Sequence, residues 1–200
     1  MSLSLQQRRI VQEYISLGIS RSTGKLEKLS GKSWGLMSAG TAQMTAVGML
    51  SWFRRNKENH YAVKFDTDSE PLIEVLLMFS ESSAKAITDA VIKPYGEKMR
   101  GLKNIVGLTI GEVSNILSHG VVGQLADAME TEIILSVPSV TQGPKVDLMA
   151  AAFESYDGRK DSLLMSHIEL YSEKLMSECS IVTILNTKSV QSRLKPPAVT

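Results

Sequence analysis

The 28 residues from 102 to 129, LKNIVGLTIGEVSNILSHGVVGQLADAM, decide how this chain folds. Within them Val106, Ile110, Val113, Leu117 and Val121 follow one another at steps of four, three, four and four residues. At about 100° per residue these positions fall in one narrow stripe, so the spacing predicts a long helix with an apolar seam facing a sheet or another helix. Glu112, Asn115 and His119 stand at i, i+3 and i+7 and share a face roughly opposite that seam. That face is turned to solvent or to a partner. A Glu and an Asn on a wet helix face are by themselves most often just solvated.

Upstream, Leu5 to Leu29 has helical spacing through Ile10, Tyr14 and Leu17 until Gly31 breaks it, which predicts a first long helix. The pattern then shortens. Trp34, Leu36, Met44 to Phe53, Tyr61 to Phe65 and Ile73 to Phe79 read as β-type runs, with a hairpin connection over Asp66 to Pro71. Ser80 can cap a short helix ending near Val91, and Lys93 to Gly101 is a linker. Downstream of the second long helix, strand-like runs occupy Thr131 to Val137, Lys145 to Phe153, Leu163 to Leu170 and Cys179 to Asn186. Residues 191–200, with Pro196 and Pro197, read as a frayed tail.

The two halves share one grammar, which suggests an internal repeat. Shifting by 99 residues lays Val11 to Leu17 over Ile110 to Ile116 and keeps Gly24 on Gly123, Leu26 on Leu125 and Leu36 on Leu135. Further on the register drifts, to a shift of 106 at Phe79 and Leu185. The expected fold is a single pseudo-twofold α/β (α+β) domain over residues 1–200. Its related halves, about 1–92 and 102–190, would share a continuous, mostly antiparallel sheet with the two long helices packed on it.

Composition narrows the function. With 22 Lys and Arg against 21 Asp and Glu, the chain has no long-range pull on nucleic acid or an acidic substrate. Its single Cys179 and three scattered His form neither a disulfide nor a metal set, so neither a metal nor a cofactor of its own is expected. No signal-peptide core and no run of 18 apolar residues stands out, which reads as a cytoplasmic chain without membrane insertion.

The string Gly111 to Leu117 is followed, 22 residues beyond Asn115, by Pro138 within Ser136-Val-Pro-Ser-Val140. Together these resemble the CheC/CheX/FliY family of response-regulator phosphatases, and the two-half layout is most similar to CheC. The family signature has an acidic residue or Ser, then Glu, then Asn, then Pro, and this chain matches the last three at the right spacing. The resemblance implies an enzyme that hydrolyses the aspartyl phosphate of a CheY-type receiver in chemotaxis or two-component signalling. Asn115 would be its catalytic residue and Glu112 its docking residue against the receiver's active-site Lys. It also implies Mg²⁺ on the receiver and, as a further partner, a CheD-like protein.

The physical case is that the receiver already neutralises the phosphoryl oxygens, and what it lacks is a group to position water. A carboxamide supplies donor and acceptor without charge. Two departures stand out: Leu108 occupies the opening position of the signature, and the first half has Arg9, Glu13, Ser16 and Ala39 where opening residue, Glu, Asn and Pro would be. One intact and one degenerate site are expected, with Arg9 able to pair with Glu13 at i, i+4.

The alternative is a non-catalytic binding module of the same fold that engages a receiver, a CheD-like protein or a flagellar-switch partner. His119 could serve as a general base, but a labile acyl phosphate needs none. His60 and His167 read as structural, and Arg54 to Lys57 reads as a solvated turn rather than a nucleic-acid patch. The Ser-rich runs Ser80 to Ser83 and Ser136 to Ser139 lack a Gly-x-Ser-x-Gly elbow, and no Gly-rich phosphate loop precedes either long helix.

Overall fold

A computed structural model describes residues 3–53, 58–67, 70–96, 99, 101–157, 162–191 and 193–194. Helix α1 spans Leu5–Ser30. Ser4 opens it with a capping box: its hydroxyl accepts from Gln7 N at 3.1 Å while Gln7 Oε1 accepts from Ser4 N at 2.9 Å. Gly31 closes it at φ 64°, the left-handed conformation that favours glycine. Strand β1 (Gly35–Met44) and helix α2 (Ala46–Phe53) follow, then β2 (Asn59–Asp66), β3 (Ile73–Ser80) and α3 (Glu81–Ile92), whose first turn is capped by Ser80. The second half runs α4 (Ile105–Met129), β4 (Ser139–Pro144), α5 (Lys145–Ala152), β5 (Leu163–Ser172), β6 (Ser177–Asn186) and α6 (Thr187–Gln191).

All six strands form one antiparallel sheet in the order β1-β5-β6-β3-β2-β4. Exchanging β1 with β4, β2 with β5 and β3 with β6 returns the same order read from the other end. The pairs β1·β5, β3·β6 and β2·β4 each join a strand of one half to a strand of the other, so neither half closes a core alone. The continuous antiparallel sheet with two long helices on it, read from the sequence, is the fold observed.

Helices cover both faces of the sheet. On one face Val75, Leu77, Phe79, Ile168 and Ile181 pack under α1, α3 and α4; on the other Leu76, Met78, Met165, Val182 and Ile184 pack under α2 and α5. This is why β3 and β6 are buried along nearly their whole length instead of alternating. The two long helices approach so closely that a Cβ built on Gly120 would stand 2.7 Å from the Gly18 carbonyl oxygen, and one on Gly18 would overlap the Gly120 carbonyl. The buried positions of α1, Val11, Ile15, Gly18, Ile19, Ser22, Leu26 and Ser30, fall under the 99-residue shift on Ile110, Ser114, Leu117, Ser118, Val121, Leu125 and Met129, all buried in α4.

Several local expectations are corrected. Met44 to Phe53 and Lys145 to Phe153 are mainly helical, because Ala46, Met49 and Phe53, and Lys145, Leu148, Met149 and Ala152, are buried at i, i+3, i+4 and i+7 spacings. Each run is a short helical cover that buries one face against the sheet. Thr131 to Val137 is no strand; it makes an isolated bridge, Thr67 to Leu135. Val106, at the end of the seam, is half-buried, while Ile110, Val113, Leu117 and Val121 are fully buried. The hairpin over Asp66 to Pro71 joins β2 to β3, with Thr67 Oγ1 donating to the Pro71 carbonyl at 2.9 Å and accepting from Ile73 N at 3.0 Å. The basic run Arg54 to Lys57 lies outside the described residues. Of the expected tail, residues 192 and 195–200 lie outside them, but Leu194 is buried in the core and Arg193 donates to Thr131 Oγ1 at 3.3 Å.

Candidate functional site

Helix α4 is long and apolar enough, by length and composition, to cross a membrane. Its apolar seam is nonetheless seated between α1, α3 and the sheet, which leaves the face that carries Glu112 and His119 outward. Glu112 and His119 are exposed on that face, and Asn115 between them is half-buried. Beyond the helix ladder, the Asn115 backbone carbonyl accepts from Ser118 Oγ at 3.2 Å. The Asn115 carboxamide and the Glu112 carboxylate have no hydrogen bond or ion pair among the described residues. A donor and acceptor pair therefore stands at the surface, one helical turn from an uncommitted negative charge.

The segment carrying Pro138 is fixed beside this face from two directions. Ser136 N donates to the Asp66 carbonyl at 2.8 Å and Ser136 Oγ accepts from Asp66 N at 3.1 Å, which ties the segment to the end of β2. Farther on, Gln142 Nε2 donates to Glu81 Oε1 at 2.7 Å, fastening β4 to α3. Between these ties the chain passes α4 at Gly111, where a Cβ would lie 3.9 Å from Val140 Cγ2. The anchored segment turns Val137 outward at 88% exposure, and Leu108, one turn before Glu112, is 60% exposed. This apolar rim, Leu108 on α4 and Val137 on the segment that passes α4 at Gly111, is a feature that the residue spacing alone did not reveal, because an exposed Val or Leu has the same sequence signature as a buried one.

The first-half counterpart sits on the outer face of α1. Arg9 and Glu13 are exposed, Gln12 and Ser16 half-buried, and the four line a shallow depression. The expected Arg9 and Glu13 ion pair is not formed: neither group has an ion pair or hydrogen bond among the described residues. Exposed i, i+4 pairs are worth so little that solvation of both charges competes on equal terms. Ala39, the counterpart of Pro138, lies inside β1 opposite Ile168.

The remaining titratable residues serve the fold. His60 is buried and its Nδ1 lies 2.9 Å from the Glu58 carbonyl, to which it donates. His167 stands edge-on to Phe53 with ring centroids 5.9 Å apart, and burial pushes its pKa below the ordinary histidine value, opposed by Glu169 and helped by Lys145. Lys145, buried at the start of α5, donates to Ser180 Oγ at 3.0 Å, and desolvation lowers its pKa despite nearby carboxylates. A cavity of about 390 Å³ on the α2 and α5 side holds Lys64 between Asp66 at 3.6 Å and Glu74 at 3.3 Å, and Ser155 Oγ donates to Glu74 Oε1 at 2.8 Å. Among the described residues no three His, Cys, Asp or Glu side chains converge as a metal site.

This combination defines a class: a sheet interleaved from two halves, with paired long helices whose outer faces carry short polar motifs. No protein-family model and no curated protein sequence matches the chain. Solved structures do. FliY of Thermotoga maritima superposes at a TM-score of 0.72 with 14% identity over 96% of both chains. The FliG-FliM complex from H. pylori matches at 0.66 with 14% identity over 96% of this chain and 99% of that one. CheX of Desulfovibrio desulfuricans matches at 0.53 with 13% identity over 87% and 99%. The chain therefore has the fold shared by these chemotaxis and flagellar-switch proteins.

Proposed function

We propose that this protein hydrolyses the aspartyl phosphate of a CheY-type receiver in the cytoplasm, using one site on α4. The observation that carries the reading is the uncommitted Asn115 carboxamide at the surface, one turn from the uncommitted Glu112, in a chain of this fold. Docking begins when the Glu112 carboxylate meets the receiver's active-site Lys, which sets the register of α4 over the phosphoryl group. Asn115 then holds a water in line with the scissile bond, its oxygen accepting from the water and its N–H₂ donating. Water oxygen attacks phosphorus, the P–O bond to the receiver's carboxylate breaks with its electron pair going to the carboxylate, and both protons of the water leave on the inorganic phosphate. Mg²⁺ held by the receiver would draw charge from the phosphoryl oxygens. The same reading takes the two halves as copies of one repeated unit, of which the second has kept the working face.

A second reading, a binding module that engages a receiver, a CheD-like protein or a flagellar-switch component without hydrolysis, draws on the apolar rim of Leu108 and Val137. An exposed apolar surface beside a charge suits a stable complex as well as a transient one. Phosphate release from a panel of phosphorylated receivers separates the two. The phosphatase reading expects release above the receiver's own rate at catalytic amounts of this protein, and Glu112→Ala should raise KM more than it lowers kcat. Binding to a receiver with no acceleration would establish the module instead.

A further inference from the structure

The cavity of about 390 Å³ beside Lys64 has the size of a small-molecule site, about 300–1,000 Å³. Glu74 alternates with Leu76 and Met78 along β3, so it points to the α2 and α5 side of the sheet, away from α4 and Asn115. Asp66 stands directly opposite Glu74 across the β2 and β3 pair, and Lys64, two residues before it, points the same way. Two carboxylates thus share one ammonium, at 3.6 Å and 3.3 Å, and one unit of negative charge is left at the cavity wall.

Glu74 is the member of this trio that is left incomplete. Its side chain is 8% exposed, against 44% for Asp66. Ser155 Oγ donates to Oε1 at 2.8 Å, but Oε2 is shut off from water and accepts no hydrogen bond among the described residues, not even from the Lys64 ammonium. An oxygen in that position has lost its hydration without gaining a donor, which is the costly state for a buried acceptor. Lys64 is held by its two ion pairs alone. On its flexible four-carbon stem it can stay with Asp66 while a second cation takes the Glu74 oxygen, and two carboxylates then meet two cations.

The rest of the wall says which cation. A metal ion would need more oxygen ligands than these and would face the charge on Lys64. An ammonium needs acceptors only, and beside Glu74 it finds Asn186 Oδ1, which accepts from Lys188 N at 3.0 Å and keeps a second lone pair. Leu72, Ile73 and Tyr156 offer apolar surface to whatever the ammonium is attached to. We propose that this cavity binds a small primary amine with an apolar body, its ammonium donating to Glu74 Oε2 and its body lying against Leu72, Ile73 and Tyr156. The site is independent of the α4 face and stands or falls without it.

The probe is 2-phenylethylamine, which at about pH 7 is protonated as a lysine side chain is, and 2-phenylethanol is its neutral counterpart. Both are titrated into the full chain by calorimetry at roughly 0.15 M salt, with amide NMR shifts to locate the site and circular dichroism to check the fold of each variant. One amine per natural chain is expected, with shifts centred on Ile73, Tyr156 and Asn186. The alcohol should bind about tenfold more weakly or less, since it cannot make the charge-assisted bond. Lys64→Met removes the competing ammonium and should bind the amine several-fold more tightly, whereas Glu74→Gln should weaken it about tenfold. Absence of saturable binding, an alcohol that binds as well as the amine, shifts centred on the α1 and α4 face, or a Lys64→Met chain that binds no more tightly than the natural one overturns the inference. Natural affinity in a folded Glu74→Gln chain does so too, and if that variant does not fold, the Lys64→Met comparison decides.

Discussion

Asn115→Ala separates a residue kept for chemistry from one kept for the fold, because the two roles move stability in opposite directions. The Asn115 side chain makes no hydrogen bond among the described residues and is only half-buried, so truncation breaks no hydrogen bond and removes little packing. It also replaces a poor helix former by the best one in the interior of a 25-residue helix, a gain of about 0.5 kcal/mol. For a chain of this size that gain corresponds to a rise in Tm of about 1–2 °C. If Asn115 aims the attacking water as proposed, its loss should meanwhile cut receiver dephosphorylation by on the order of 10²-fold, about 3 kcal/mol in transition-state terms. The assays are calorimetric or circular-dichroism melting and phosphate release under saturating phosphorylated receiver. A variant that melts slightly higher and turns over about a hundredfold more slowly fits the proposal. Unchanged turnover would refute the catalytic role, and a Tm several degrees lower would show that the amide supports the fold.

Three other perturbations probe the scaffold. Gly18→Ala places a Cβ against the Gly120 carbonyl where the helices touch, and should destabilise by about 1–3 kcal/mol in denaturant melts. Ser4→Ala removes the capping-box hydroxyl and should cost about 1 kcal/mol, read as local loss of hydrogen-exchange protection in the first turn of α1. His167 is held below its ordinary pKa by burial, so as pH falls below about 6.5 the unfolded chain takes up its proton before the folded one does and stability declines. His167→Gln should therefore lose less stability than the natural chain between pH 7.5 and pH 5, and parallel melting curves across that range would contradict the assignment.

The sheet and the long helices were legible because their signals come from burial on a fixed period. The seam at Ile110, Val113, Leu117 and Val121 names the inner face of α4, and the consecutive apolar residues Val75 to Phe79 of β3, with Ile181-Val182 and Ile184-Leu185 of β6, announce strands covered on both sides. The helices α2 and α5 were misread because each is eight residues long, and a short apolar run satisfies either period. Lys145 added to the confusion, since a lysine whose ammonium is buried against Ser180 occupies a core position that a reading by hydrophobicity leaves out. On the site, the positions of Glu112 and Asn115 on one outward face were legible from the helical period. The apolar rim was not, because Val137 owes its exposure to the ties that Ser136 makes with Asp66, and these are tertiary.

Those ties also bear on why the two halves can differ so much in chemistry while matching in architecture. The 99-residue shift maps buried positions of α1 onto buried positions of α4, since both helices must fit the same sheet and the same close crossing. Outer faces are under no such constraint. Arg9 and Leu108, or Ser16 and Asn115, contribute little to packing, so exchanging one for the other changes stability by tenths of a kcal/mol at most. Function at this surface is consequently free to diverge between halves without cost to the fold. The same freedom means that the fold, shared with FliY, FliM and CheX at 12–14% identity, cannot by itself assign an activity. The assignment has to rest on which outward side chains are uncommitted and what they could reach, and on α4 those are a carboxylate and a carboxamide one turn apart.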